Sequence, residues 1–493
     1  MNTNLPLYGQ SLALLTDLYQ LTMAYGYWKL GRADDEAVFH MTFRKHPFGG
    51  GYTVACGLEC ANQFVRAFQF SDDDLSYLGS LEGNDGRAMF EPAFLDYLRR
   101  LEFACDIDAV PEGTIVFPHE PLVRVKGPLL QCQLLETPIL NMINFQTLVA
   151  TKAARIITAA GGEPVMEFGL RRAQGIDGGL AASRAAYVGG CSATSNVLAG
   201  RLYGIPVKGT HAHSWVMCFG DECEAFDAYA AAMPGNCIFL VDTYDTLAGV
   251  RNAIEAGKRL RAKGHEMIGI RLDSGDLAYL SQEARRMLDE AGFAKAAIVA
   301  SNDLDENIIA SLKAQDAKIS VWAVGTRLAT CYDEPALGGV YKLSALRRPG
   351  GEWQYKVKLS EQVIKTSTPG ILQIRRFRYD GQFMADIIFD QLKDGEQGRV
   401  DAVIIDPADP IRRKVIPAGT AYEDLLVPAF RAGRCVYDCP PLADVRKRTA
   451  QQLASLHPGI KRLLHPHQYP AGLEKGLHDL KTQLILEARG LPV

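Results

Sequence analysis

What is missing from this chain of 493 residues narrows its work before any motif is read. No apolar run approaches the twenty or so residues that a helix needs to cross a bilayer, so no membrane partner is expected. Lys and Arg number 53 against 57 Asp and Glu, a formal net charge of −4, which argues against nucleic-acid binding through a basic surface. Met1 to Tyr8 shows no basic segment followed by an apolar one, so no signal peptide and a cytoplasmic location are expected. The 11 cysteines contain no CxxC pair. Cys56/Cys60 and Cys435/Cys439 have C-x-x-x-C spacing, and each pair is either half a metal site or, as the spacing rules favour, two free thiols of a reducing cytosol. There is no GxxxxGK[ST] and no GxGxxG after a strand, so the ordinary nucleotide cradles are absent.

What is present is a globular composition, 47% hydrophobic and 22% charged, in a chain long enough for more than one core. Residues 12–30 read as a helix beginning near Thr16-Asp17, with Leu14, Leu18, Leu21 and Tyr25 on one face. Ala37 to Arg44 alternates like a strand, followed by a Pro47 and Gly49-Gly50-Gly51 turn. Helical segments and short strands then mix, Leu129 to Leu135 among the strands, before a long helical stretch from Leu134 to Ala160. From Pro164 the rhythm changes. Apolar runs recur at Val165–Gly169, Ile205–Lys208, Ile238–Val241, Met267–Ile270, Ala297–Ala300, Val321–Val324 and Val340–Leu343, with amphipathic helices between several of them. Repeated β-α units predict a parallel sheet or barrel. After Leu346 the regularity fades, with a turn at Asp394 to Gly398 and a mostly helical tail from Leu442.

The runs end in chemistry. Arg171-Arg172 follows the first, Thr210 and His213 the second, Asp242 and Asp245 the third. Arg271, Asp273, Ser274 and Asp276 follow the fourth, Ser301-Asn302-Asp303 the fifth, and Gly325-Thr326-Arg327 the sixth. A closed barrel gathers its strand C-termini at one rim, so cations, one histidine and several carboxylates are expected at a single mouth. Asp242, Asp245, Asp273 and Asp276 are hard oxygen donors suited to magnesium on a phosphate substrate. Paired carboxylates alternatively flank a glycosidic bond, but the arginines and His213 favour an anionic substrate. Between the first two runs, Ser192 is the expected N-cap of a short helix toward Arg201, with Gly204 as its stop.

GTHAHS (Gly209 to Ser214) resembles the most specific mark of the nicotinate phosphoribosyltransferases. TDLYQLTM, FRKHPF, EFGLRR, LVDTYDT, GIRLDSGDL, SNDLDE, VGTRL and the C-terminal PHQYP fall in that family's order and cover roughly residues 12–475. The resemblance implies an α/β fold of type II phosphoribosyltransferase kind, an irregular α/β barrel domain packed beside an α/β sandwich domain. Residues 1–138, completed by about 347–435, would form the sandwich, 139–346 the catalytic barrel and 436–493 a helical tail. It also implies condensation of nicotinate with 5-phosphoribosyl 1-pyrophosphate (PRPP) to nicotinate mononucleotide and pyrophosphate, coupled to ATP hydrolysis. This is the first step of NAD salvage from nicotinate, with Mg²⁺ or Mn²⁺ as cofactor and ATP as co-substrate. A homodimer sharing its active sites is implied, with Tyr19 of one subunit stacking on the pyridine held by the other.

On the matched positions, the resemblance implies the following roles: His213 would be phosphorylated by ATP, and Arg271 would be a planar fork for the nicotinate carboxylate. Phe168 and Tyr19 sandwich the ring, Thr210 donates to the ligand and Ser214 contacts it. Arg171, Arg44 and Lys45 meet phosphate, while Gly325 and Thr326 hold the 5′-phosphate. Asp242 and Asp273 serve the ribose hydroxyls or the metal, and Asn302 the ribose. Nicotinamide-using relatives carry an acid where this chain has His211, which favours the acid substrate unless His211 points elsewhere. Nicotinamide phosphoribosyl transfer, a non-catalytic PRPP or pyridine-nucleotide sensor and a barrel glycosidase are the alternatives.

Overall fold

The computed structural model describes residues 12–362, 365–393 and 401–492. The leaderless start expected at Met1 to Tyr8 and the turn expected at Asp394 to Gly398 lie outside these residues. The chain divides into two units, Met1–Leu148 with Ala336–Val493, and Val149–Pro335.

In the second unit, short apolar runs form six parallel strands. These are β1 (Val165–Glu167), β2 (Ala193–Thr194), β3 (Ile238–Leu240), β4 (Gly269–Leu272), β5 (Ala297–Ala300) and β6 (Val321–Val324). Their order is β2-β1-β6-β5-β4-β3, and every pairing is parallel. Chain order therefore runs round the wall as in a barrel, with a single seam whose flanks are the β2 and β3 edges. One isolated bridge, Thr194 to Val207, extends the β2 edge. The expected strand Ile205–Lys208 amounts to that bridge alone. The helix before it starts at Asn196, not Ser192, because the Asn196 side chain accepts from Ala199 N. Its stop at Gly204 is as expected, with a left-handed φ of 68°.

Helices fill the crossovers and rest on the strand ends. A Cβ at Gly249, in the first turn of helix Thr246–Ala262, would lie 2.0 Å from the Val241 carbonyl oxygen. Only a glycine lets that helix sit directly on the end of β3. Asp245 accepts from Ala248 N and Asp276 from Tyr279 N, each as a helix N-cap. Two of the four carboxylates expected at the rim are thus committed to helix starts.

The first unit is built mainly on antiparallel pairing, with one parallel pair between Gln382–Asp390 and Ala471–Glu474. A seven-stranded sheet runs Gln354–Tyr355, Gly339–Arg347, Glu36–Phe43, Val123–Pro128, Asp106–Ala109, Val427–Arg431, Arg434–Cys435. Val340–Leu343, read from its apolar run as another barrel strand, lies within Gly339–Arg347 and pairs antiparallel with Glu36–Phe43. Leu129–Leu134 is helical rather than extended, and all six of its residues, Gln131 and Gln133 included, are buried, so burial carries no period to separate the two. A six-stranded sheet in the same unit holds the wholly buried pair Arg376–Asp386, to which Tyr469 donates a hydrogen bond of 2.8 Å. Tyr469 also stacks on Phe117 at 4.0 Å, so the PHQYP turn is tied to the core.

Among the described residues, no helix is long and apolar enough to cross a membrane. Four histidines are wholly or partly buried. Burial pulls His40 well below the ordinary 6.5, His46 to about 3, and His119 and His211 to about 4. Because these values are depressed on folding, the unfolded chain takes up protons first as pH drops below 6.5. Stability is predicted to fall between about pH 6.5 and 4, by up to ~1.4 kcal/mol per pH unit for each histidine. Urea unfolding measured at pH 7.5, 6.5 and 5.5 checks this, and His46→Gln is expected to flatten the slope.

Candidate active site

At the C-terminal ends of β3 and β4 the backbone delivers two carboxylates. The Asp242 side chain is 1% exposed. Its Oδ2 accepts from Asp273 N at 2.9 Å and from Ser274 Oγ at 2.6 Å. Its Oδ1 is buried with no hydrogen-bond partner among the described residues. Asp273 stands 37% exposed, and its Oδ1 accepts from Ser301 Oγ at the end of β5. His213 opens the short helix His213–Met217. Its Nδ1 lies 3.1 Å from Thr243 Oγ1, and its Nε2 lies 3.9 Å from both Asp242 Oδ1 and Asp273 Oδ2. One histidine from a short helix and two carboxylates from two strand ends thus converge.

Arg271 leaves β4 into the same cluster. Burial lowers its pKa, and the Asp273 and Asp242 charges push it back up; a guanidinium keeps its charge in any case. Nη1 donates to Thr210 Oγ1, and the Thr210 hydroxyl in turn donates to the His211 carbonyl at 3.2 Å. Nε has no partner among the described residues. A planar cation with an unspent N–H is well disposed to a carboxylate or phosphate oxygen. Arg171 is exposed on the turn after β1 and opposes the Arg271 charge, so both cations act on one region.

The β1 and β6 ends interlock through glycine. Phe168 N donates to Val324 O at 2.8 Å. A Cβ on Gly169 would meet Ala329 Cβ at 2.4 Å and Gly325 O at 2.9 Å. Gly325 caps the four-residue helix that begins at Thr326. Arg327 anchors this turn by an ion pair with Asp305 at 3.2 Å. Asn302 has a left-handed φ of 126°, a conformation costly for a side-chain-bearing residue and concentrated at functional sites.

Three expected residues remain. Ser214 is exposed on the short helix. Tyr19 belongs to the first unit, 49% exposed on helix Leu18–Lys29. His211 is buried, its Nε2 accepting from Leu240 N at 3.2 Å and its Nδ1 3.3 Å from Ala212 O, so it faces the wall rather than the mouth. Sequence reasoning gave no role to Thr243, Ser274 or Ser301. The available signal was a hydroxyl adjacent to a carboxylate, or at a neighbouring strand end.

The residues fit a hard divalent cation in one particular way. Asp242 Oδ1 is an orphaned buried acceptor, and Asp273 Oδ2 lies on the same side of His213. Among the described residues no cluster of three or more His, Cys, Asp or Glu side chains could hold a metal alone. Two carboxylates plus water and substrate oxygens is the arrangement that magnesium prefers.

Residues 14–144 match the nicotinate phosphoribosyltransferase (NAPRTase) N-terminal domain, and residues 373–481 its C-terminal domain. Nicotinate phosphoribosyltransferase of Bacillus subtilis is 43% identical across 97% of this chain and 96% of its own length. The Homo sapiens enzyme is 37% identical across 96% of each. The crystal structure of human nicotinic acid phosphoribosyltransferase superposes with a TM-score of 0.82 at 34% identity, covering 95% of this chain and 99% of that one. Alike in sequence and fold over nearly its full length, with its polar strand ends gathered at one mouth, the chain belongs to the nicotinate phosphoribosyltransferase family of enzymes, in the type II phosphoribosyltransferase fold.

Proposed function

We propose that this enzyme condenses nicotinate with PRPP to nicotinate mononucleotide and pyrophosphate, coupled to ATP hydrolysis, as the first step of NAD salvage from nicotinate. The observation that carries this reading is the convergence of Arg271, His213, Asp242 and Asp273 at the ends of neighbouring strands.

Arg271 seats the nicotinate carboxylate, its unspent Nε–H adding to the fork. Phe168 offers a ring face at the β1 end. Gly325 and Thr326 present backbone N–H and hydroxyl groups to the 5′-phosphate, with Asn302 and Asp273 toward the ribose. Asp242 and Asp273 would hold Mg²⁺ or Mn²⁺, and such an ion would supply charge neutralisation of the pyrophosphate leaving group. The ring nitrogen attacks the ribose C1, the C1–O bond to pyrophosphate breaks, and positive charge grows on the sugar.

His213 accepts the phosphoryl group of ATP, releasing ADP, and water later returns it as phosphate. While it is in place, its negative charge beside Asp242 and Asp273 would strengthen the hold on a cation bound there. Thr243 keeps the imidazole turned toward the carboxylates.

The first unit contributes an anion cleft. Arg44 lines it with His119, Lys342, Lys365 and the hydroxyls of Thr366, Ser367 and Thr368, which suits the phosphate role of Arg44; Lys45 is exposed at the same strand end. Leu15, Leu18, Tyr19 and Met23 are between 41% and 49% exposed around helix Leu18–Lys29, an apolar surface suited to a homodimer in which Tyr19 reaches the neighbouring site. The cytoplasm supplies all three substrates.

Two outcomes are expected. Arg271→Lys replaces a fork by a point charge, and kcat/KM for nicotinate is predicted to fall about a hundredfold. Steady-state kinetics with nicotinate and nicotinamide check this, and an unchanged value removes Arg271 from carboxylate binding. His213→Ala is predicted to abolish ATP stimulation while leaving slow ATP-independent synthesis at high PRPP. Mononucleotide formation with and without ATP decides it, and undiminished stimulation refutes the phosphohistidine role.

A further inference from the structure

The wall of the second unit is tied by strand ladders except at its seam. β3 pairs with β4 on one side and has no strand on its other edge among the described residues. Val241 N donates across to Arg271 O on β4 at 3.2 Å. Backbone groups alternate along a strand, so the preceding N–H, that of Leu240, points out of the free edge. It is met there by His211 Nε2 at 3.2 Å. On the other flank, Val207 bridges Thr194, and Lys208 N donates to Thr194 O at 3.0 Å. Gly209 and Thr210 then lead directly to His211.

We infer that His211 is a positioning residue: its neutral imidazole accepts the Leu240 N–H, closes the wall between β3 and the Val207 segment, and thereby holds Thr210 against Arg271 and His213 against Asp242 and Asp273.

The tautomer is determined twice over. Ala212 O can only accept, so Nδ1 carries the proton. Leu240 N can only donate, so Nε2 carries the lone pair. A second proton on the ring would face the Leu240 N–H head-on. The ring lies against Tyr229 at 4.9 Å and Phe226 at 6.2 Å, both on helix Glu222–Ala232. Burial, only partly offset by the Ala212 carbonyl and reinforced by the Arg271 charge, keeps the ring uncharged at neutral pH. The Thr210 hydroxyl is tied to the His211 carbonyl, so the Thr210 hydroxyl that meets Arg271 is set by where the His211 backbone sits. His213 follows two positions along the chain, and a shift of His211 displaces its imidazole from the carboxylates.

The catalytic side of this inference rests on the proposed function; the seam itself does not. His211→Gln places an amide oxygen where Nε2 stands, whereas His211→Phe keeps the ring volume and removes the acceptor. The glutamine variant is expected within about threefold of wild type in kcat/KM for nicotinate and in ATP consumed per mononucleotide. The phenylalanine variant is expected to lose about tenfold or more in kcat/KM, the worth of one hydrogen bond, and to hydrolyse ATP out of step with product. Hydrogen exchange at the Leu240 amide is expected to quicken about tenfold in the phenylalanine variant alone. Nitrogen NMR of the wild-type imidazole is expected to show the proton on Nδ1 and no titration near pH 6.5. The inference is overturned if folded His211→Phe protein keeps wild-type exchange at Leu240, if it keeps wild-type kinetics and coupling, or if His211 titrates near 6.5. A wild-type protein that makes no mononucleotide refutes the proposed function instead, and the exchange and NMR results still decide the seam.

Discussion

One buried carboxylate sets the terms for the rest of the site. Asp242 is almost wholly withdrawn from water, and an ionised group in that position is costly unless its lone pairs are met. One oxygen is met by the Asp273 N–H and the Ser274 hydroxyl, which fixes the turn after β4 by its contact with the end of β3. The other oxygen is left facing His213 and has no hydrogen-bond partner among the described residues. The two halves of a single side chain therefore divide the labour: one organises the scaffold, and the other is held ready for charge that arrives with a ligand.

Around Asp242 the neighbours are arranged by hydroxyls. Thr243 turns the histidine, Ser301 steadies Asp273, and Thr210 lies under Arg271. Each is a small group on a strand end or a short turn, with few rotamers to lose. None carries net charge, so they orient the ionic groups without competing for the cation or the phosphates. Such an arrangement favours a preorganised mouth over one assembled by large motion.

The parallel wall was legible because its strands are apolar runs that stop at polar residues, a pattern that survives without any partner information. The convergence of His213, Arg271, Asp242 and Asp273 followed from that pattern. Asp245 and Asp276 were misread for a physical reason. An aspartate between an apolar strand and a helix serves equally well as a rim ligand or an N-cap, and only the helix start separates the two. Val340–Leu343 went astray because an apolar run says nothing of whether its neighbours run parallel. The local sequence left both orientations of His211 open, since nothing in it shows that β3 would have a free edge for the ring to satisfy.

Gly249 shows how far the reach of the strand ends extends. Its absent side chain lets a helix rest its first turn on the Val241 carbonyl, immediately before Asp242. A single methyl group added there would have to lift the helix or tilt the peptide plane that aims the carboxylate. The reaction centre is thus sensitive to the thickness of the joint behind it, at a residue that offers no atom to any substrate.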